Sequence, residues 1–256
     1  MGMSIDGIQR TPLPLAGRVI EIWRYPISSL GGERVSRANL RADGVEGDRQ
    51  YGLIDATTGM PAIPERDVRW RKALHLVACY SEGGSPAIIF PDGRHFSTND
   101  ERLNDILSDY FGFATAIAAY EHTAQRRDFP QTHFRHRHFP LHLLTTASLK
   151  SLSDLCQTSV IDSRRFRPNV LIEVHEESGF VETKWIGRRL RLGTLELVAE
   201  EDTKRCGVTF VSQTGLEEDP DILRNILRNN KRNLGIYCSI ALGGTIALGD
   251  EVFIDD

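Results

Sequence analysis

Cysteine is scarce in this 256-residue chain: there are four, at positions 79, 156, 206 and 238, with no C-x-x-C pair. That spacing argues against a disulfide scaffold and a tetrathiolate zinc site. Long apolar runs are missing too. None approaches the ~18 residues of a membrane span, and the opening "MGMSIDGIQRTPLPLAG" lacks the basic and then apolar blocks of a signal peptide. A cytoplasmic chain with no membrane partner is expected. Nor is there an excess of basic charge. Lys and Arg total 31 against 35 Asp and Glu, a net charge of −4, which argues against a nucleic-acid partner. Any bound anion is expected to be small. The common catalytic templates are absent as well: no G-x-G-x-x-G after a strand, no P-loop, no G-x-S-x-G and no H-E-x-x-H.

What is present is ordinary globular material, 40% hydrophobic and 26% charged, enough for one large domain or two modest ones. Strand-length runs rich in β-branched and aromatic residues occupy 17–27, 50–59, 73–80 and 86–96, the last broken by a Pro-Asp-Gly turn. Helices are few. Thr98 and Glu101 form a T-x-x-E capping box before a face of Leu103, Ile106, Leu107, Tyr110 and Phe111, and Gly112 can end that helix. The polar, basic stretch 120–139 reads as a domain boundary, giving a β-rich unit over 17–122 and a second unit over 123–256. The second unit restarts with the strand "PLHLLTT" and a helix capped by Thr146, with Leu149, Leu152 and Leu155 inward. Strands are expected in "NVLIEV", "RRLRLG", "TLELVAEE" and "CGVTFVS". Asp219 and Pro220 open a helix whose inner face is Ile222, Leu223, Ile226 and Leu227, and "LGIYCSIALGGTIALGDEVFI" closes the chain as a strand pair. The fold class is α+β, mainly β, with barrels favoured over a βαβ sheet.

Cys206 follows Lys204 and Arg205 directly. A thiol beside two cations ionises more easily, and a thiolate is both nucleophile and soft-metal ligand. The competing reading is an inert cysteine packed as a small hydrophobe. "RRFRPNVLIE" (164–173) sets arginines and an Asn amide at a strand end, where they could grip a phosphate or a carbonyl-rich heterocycle.

These motifs carry a resemblance. "RFRPNV", Trp185, "RC" at 205–206, "TG" at 214–215 and "GTIALGDEV" at 244–252 resemble the MOSC family, named for the molybdenum cofactor sulfurase C-terminal domain. "RYPISSLGGERV" and "GVEGDRQYGLID" resemble the β-barrel domain that precedes it in the amidoxime-reducing branch. The resemblance implies a MOSC β-barrel with short helices behind a smaller β-rich domain. It implies the molybdenum cofactor (molybdopterin), with Cys206 binding the metal. Arg49, Arg167, Asn169, Lys204, Arg205 and Tyr237 would lie around the pterin and its phosphate, with Ser28 and Ser29, and Arg137 and His138, at the cofactor cleft. The chain departs from the pattern at Ser28, where the family has lysine, and at Arg137, where an acidic residue is usual.

The activity implied is reduction of an N-hydroxylated or N-oxygenated small molecule. No 2Fe-2S cysteine cluster follows residue 256, so electrons are expected from a separate donor protein. Pyridoxal phosphate attaches to the family only as a label, and no transaminase domain is read here. A non-catalytic carrier of the cofactor or its sulfur is the other class. A zinc site at His133, His136, His138 and His142 is the rival reading of the histidines, and ordinary surface ion pairing that of the arginines.

Overall fold

The strand pattern resolves into a barrel. The computed structural model describes residues 14–81, 84–120, 129–132, 139–157, 161–174 and 178–255. Its strands, in chain order, are β1 (Leu15–Arg24), β2 (Glu33–Val35), β3 (Arg37–Arg41), β4 (Gly44–Val45), β5 (Tyr51–Asp55), β6 (Val77–Tyr80), β7 (Pro86–Ile89), β8 (His95–Ser97) and β9 (Thr115–Tyr120). They continue as β10 (Gln131–Thr132), β11 (Leu141–Thr145), β12 (Val170–Glu173), β13 (Arg189–Leu192), β14 (Leu195–Lys204), β15 (Asn233–Leu242), β16 (Gly244–Ala247) and β17 (Glu251–Ile254). The α-helices are α1 (Leu103–Phe111), α2 (Thr146–Cys156) and α3 (Pro220–Asn229). Among the described residues no helix is long and apolar enough to cross a membrane.

Hydrogen-bonded neighbours run β1, β12, β11, β15, β14, β13, β17 and back to β1, closing a seven-stranded ring that β2 extends outside β1. Closure leaves no exposed edge among those seven. Period-two alternation fills the interior: in β13, Leu190 and Leu192 are buried while Arg189 and Arg191 face out. The core gathers Val19, Leu143, Ile172, Leu197, Ile236 and Val252 from six different strands. β1 belongs to the first 122 residues, so the barrel draws strands from both sides of residue 122. One pair in the ring is parallel, β11 with β12, and α2 makes the crossover between them. Outside the barrel, Leu152 of α2 packs with Ile222 and Ile226 of α3.

Outside the barrel, the first unit has its own core. β10, β9 and β5 form one three-stranded sheet and β6, β7 and β8 another. Trp70, Leu76, Leu103, Leu107 and Ile117 pack together there, with Trp70 edge-on to Phe111 and Phe113.

Several local elements differ from the sequence expectation. Residues 73–80 do not form one strand: Asp67 accepts from Arg69 N and starts a 3-10 helix over Val68–His75, so β6 begins only at Val77. Thr98 does not cap α1, because Asp100 takes the N–H of Arg102 and the helix begins at Leu103; Gly112 does end it, with φ of 83°. α2 is capped one residue early, by the Thr145 hydroxyl. "CGVTFVS" is not a strand: Thr209 N and Oγ1 both donate to Cys206 O, bending 207–209 into a 3-10 turn. The closing segment supplies three strands, and β16 leaves the barrel to pair with β3. α3 is capped by Asp219 as expected and buries Ile222 and Ile226, but Leu227 lies 48% exposed.

Candidate functional site

The Gly-Asp-Arg turn between β4 and β5 is clasped to the end of β1. Tyr25 N donates to Asp48 Oδ1 at 2.6 Å, and Arg49 N donates to Tyr25 O at 2.7 Å. These contacts hold Arg49 at φ 46°, a region that costs a non-glycine residue about 1–3 kcal/mol. Gly47 is needed beside it, since its φ is 81° and an added Cβ would fall 2.7 Å from the Tyr80 ring. Asp48 forms an ion pair with the Arg49 guanidinium. Burial works against the Arg49 charge, but the adjacent carboxylate outweighs it and the pKa is raised. Ser28 and Ser29 follow β1 nearby, Ser29 at φ 69°.

The Arg-Pro-Asn step supplies a second group. Arg167 ends the 3-10 turn Ser163–Phe166 at φ 54°. Its Nη1 donates to Leu30 O, and its guanidinium sits 4.3 Å from the centre of the Tyr25 ring, which Arg49 also approaches, at 5.1 Å. Asn169 is buried. Its Oδ1 accepts from His142 N at 3.1 Å and its Nδ2 donates to Trp23 O at 3.3 Å, while its own N–H donates to His142 O at 2.8 Å. Its amide therefore ties β1 and β11 to the start of β12 and sets where Arg167 stands.

Cys206 follows β14. Alternation there puts Thr203 and Arg205 in and Lys204 out, so Lys204 is exposed and does not reach the site. Arg205 is held by reciprocal bonds to Arg232, donating N–H to Arg232 O at 2.8 Å and accepting from Arg232 Nε at 2.6 Å. Its Nη2 donates to Phe166 O at 2.5 Å. Burial pushes the pKa of Arg205 down and that of Arg167 down to about 10.

One cavity of about 260 Å³ joins these pieces. Arg49, Arg167, Asn169 and Arg205 line it with Cys206 and Tyr237, and Ser28 and Ser29 line it too. Arg137 and His138 lie outside the described residues, as do His133 and His136. Among the described residues no cluster of His, Cys, Asp or Glu is placed to hold a metal ion by itself. Arg167 and Arg205 have no ion-paired carboxylate among the described residues, and Arg167 Nη2 and Arg205 Nε have no hydrogen-bond partner there. Cations removed from water are normally paired with a counter-charge; here backbone carbonyls and aromatic rings meet them instead.

Three lining side chains carried little signal in the sequence. His142 is buried on β11, opposite Tyr237 in register. Phe139 stacks on Tyr237 with centroids 4.7 Å apart. Glu65 comes from the loop after β5, and its Cβ would meet a Cβ at Gly207 at 3.1 Å. The sequence singles out His142 only through the rival zinc reading, and Phe139 and Glu65 carry no motif.

The MOSC domain profile matches residues 130–253, and the MOSC N-terminal beta barrel domain profile matches residues 16–77. The chain belongs to the MOSC family. No curated protein matches it in sequence. Among solved structures it is similar to the YUAD protein (APC1665) of Bacillus subtilis, at 11% identity over 94% of this chain and 96% of that one, with a TM-score of 0.49. It is also similar to YiiM of Geobacillus stearothermophilus, at 13% identity over 46% of this chain and 55% of that one, with a TM-score of 0.36. These likenesses are too distant to bear on activity.

Proposed function

We propose that the cavity holds a molybdenum–pterin cofactor with Cys206 as the protein ligand to the metal, and that the protein reduces N-hydroxylated or other N-oxygenated small molecules with electrons from a separate donor protein. MOSC domains are associated with molybdenum cofactor binding. The observation that carries the reading is the pair Arg167 and Arg205, two cations without carboxylate partners among the described residues, lining one cavity with a partly exposed thiol. The fit is chemical: a compact phosphorylated heterocycle calls for convergent fixed donors, and molybdenum calls for a soft sulfur ligand.

When bound, the cofactor supplies two-electron removal of oxygen from nitrogen. Arg167 and Arg205 bind and neutralise its phosphate or polar ring edge. Arg49, already balanced by Asp48, contributes directed N–H groups with little net charge. Phe139 stacked on Tyr237 gives the cavity an aromatic wall that orients a small substrate.

Protein from a cofactor-competent host should contain about one molybdenum per chain, and Cys206→Ala should lose it while folding normally, at a cost of about 1 kcal/mol. Molybdenum retained by that variant would falsify the ligand assignment. The loaded protein should reduce an amidoxime with an artificial electron donor. Cofactor exchange without turnover would instead make it a carrier.

A further inference from the structure

A histidine in a strand buried on both faces must place two ring nitrogens. His142 is 4% exposed, and β11 is buried along its whole length. Its Nδ1 lies 3.3 Å from Arg167 O and its Nε2 lies 3.4 Å from Arg205 Nη1. A guanidinium can only donate, so in that contact Nε2 is the acceptor, while the Leu234 carbonyl beside the ring is taken by Arg205 Nη1, which donates to it at 3.5 Å. The one proton then sits on Nδ1, from which it is donated to the Arg167 carbonyl.

The surroundings enforce this form. Arg205 and Arg49 are the charges that face the ring, and Tyr237 is tilted against it at 5.6 Å. The carboxylate of Glu182 is turned to the Gly235 backbone, accepting its N–H at 3.1 Å, and does not reach the imidazole. Gly235 leaves the ring its space: an added Cβ would stand 2.4 Å from Nε2. Burial first, and Arg205 second, hold the His142 pKa well below the usual imidazole range. An imidazolium would turn an N–H toward a cation.

Resting on the anion-binding reading above, we propose that His142 is a positioning residue, a neutral imidazole that yokes the Arg205 guanidinium to the Arg167 turn so that both arginines meet one shared anionic group. The two arginines come from different places, one before β12 and one after β14. One ring spans them.

Side-chain nitrogen NMR on the full chain, before any loading, should show the bare nitrogen at Nε2 from about pH 5 to about pH 8, where a free imidazole would titrate. A proton on Nε2, or titration near pH ~6.5, overturns the assignment. Inorganic phosphate is the probe for the second arm, by calorimetry. His142→Leu loses both contacts and should weaken phosphate about tenfold. His142→Gln, whose amide oxygen can still accept from Arg205, should stay within about threefold of the parent. If the leucine variant does not fold, His142→Asn takes its place, since its shorter amide reaches the Arg167 carbonyl and not Arg205. Equal losses in the variants compared, or a parent that binds no phosphate, overturn the positioning role. A parent that shows this His142-dependent phosphate binding yet takes up no molybdenum sinks the cofactor reading and leaves the role of His142 standing.

Discussion

Replacing Arg167 by methionine separates a ligand-binding arginine from a structural one. In the ligand-free protein the change removes the hydrogen bond to Leu30 O, worth about 1.5–3 kcal/mol for a charged donor. It also removes the contact 4.3 Å from the Tyr25 ring, worth about 0.5–2 kcal/mol. Against this, burial has pushed the Arg167 pKa down to about 10, which corresponds to about 3 kcal/mol against the charged form in the fold. Methionine keeps much of the alkyl packing and brings no charge. The opposing effects nearly cancel, so the net loss is at most about 2 kcal/mol, a fall in melting temperature of no more than about 4–8 °C for a chain of this size. Anion binding should suffer far more, because one guanidinium's charge-assisted bonds to phosphate are worth about 3 kcal/mol, or about a hundredfold in affinity. Thermal unfolding of the ligand-free variant and phosphate calorimetry on the same sample test both halves. A fall of more than about 10 °C would mean that Arg167 holds the fold together. Unchanged phosphate affinity would remove it from the site.

Two further outcomes are expected. Lys204→Ala should leave phosphate affinity and molybdenum content within about twofold of the parent, because the side chain faces away from the cavity; a tenfold loss would put it back in the site. Glu182 is buried, and burial raises its pKa even though the Thr145 and Ser148 hydroxyls each donate to it at 2.6 Å. The folded state then holds this proton more tightly than the unfolded chain, so stability declines as pH rises above the unfolded value of ~4.3. Glu182→Gln should flatten urea midpoints measured between about pH 4 and pH 8, and an unchanged slope would show that the carboxylate is not the source.

Much of the site was legible because it is built from short motifs. The Gly-Asp-Arg turn, the Arg-Pro-Asn step and the Arg-Cys pair each combine a backbone requirement with a side-chain type, and both are local. Arg49 also needs the clasp to Tyr25, whereas Arg167 reaches its positive φ through the turn just before it, its N–H donating to Arg164 O. The same holds for α3, where Asp219 and Pro220 start the helix by contacts within one turn. Local signals misled where two of them competed. Asp100, two residues after Thr98, accepted the N–H of Arg102 and the helix started later, and the Thr209 hydroxyl bent a strand-like sequence into a turn.

By itself the sequence determined the family, the mainly β class and most of the donor set, because these depend on residue identity and spacing along the chain. Only the tertiary structure decided that β1 closes the barrel, that Lys204 points out while Arg205 points in, and that the Asn169 amide is spent on the backbone of β1 and β11. It alone set His142 between two arginines. The reason is that strand register is fixed by pairing between segments far apart in sequence, and a shift of one residue moves every side chain to the opposite face.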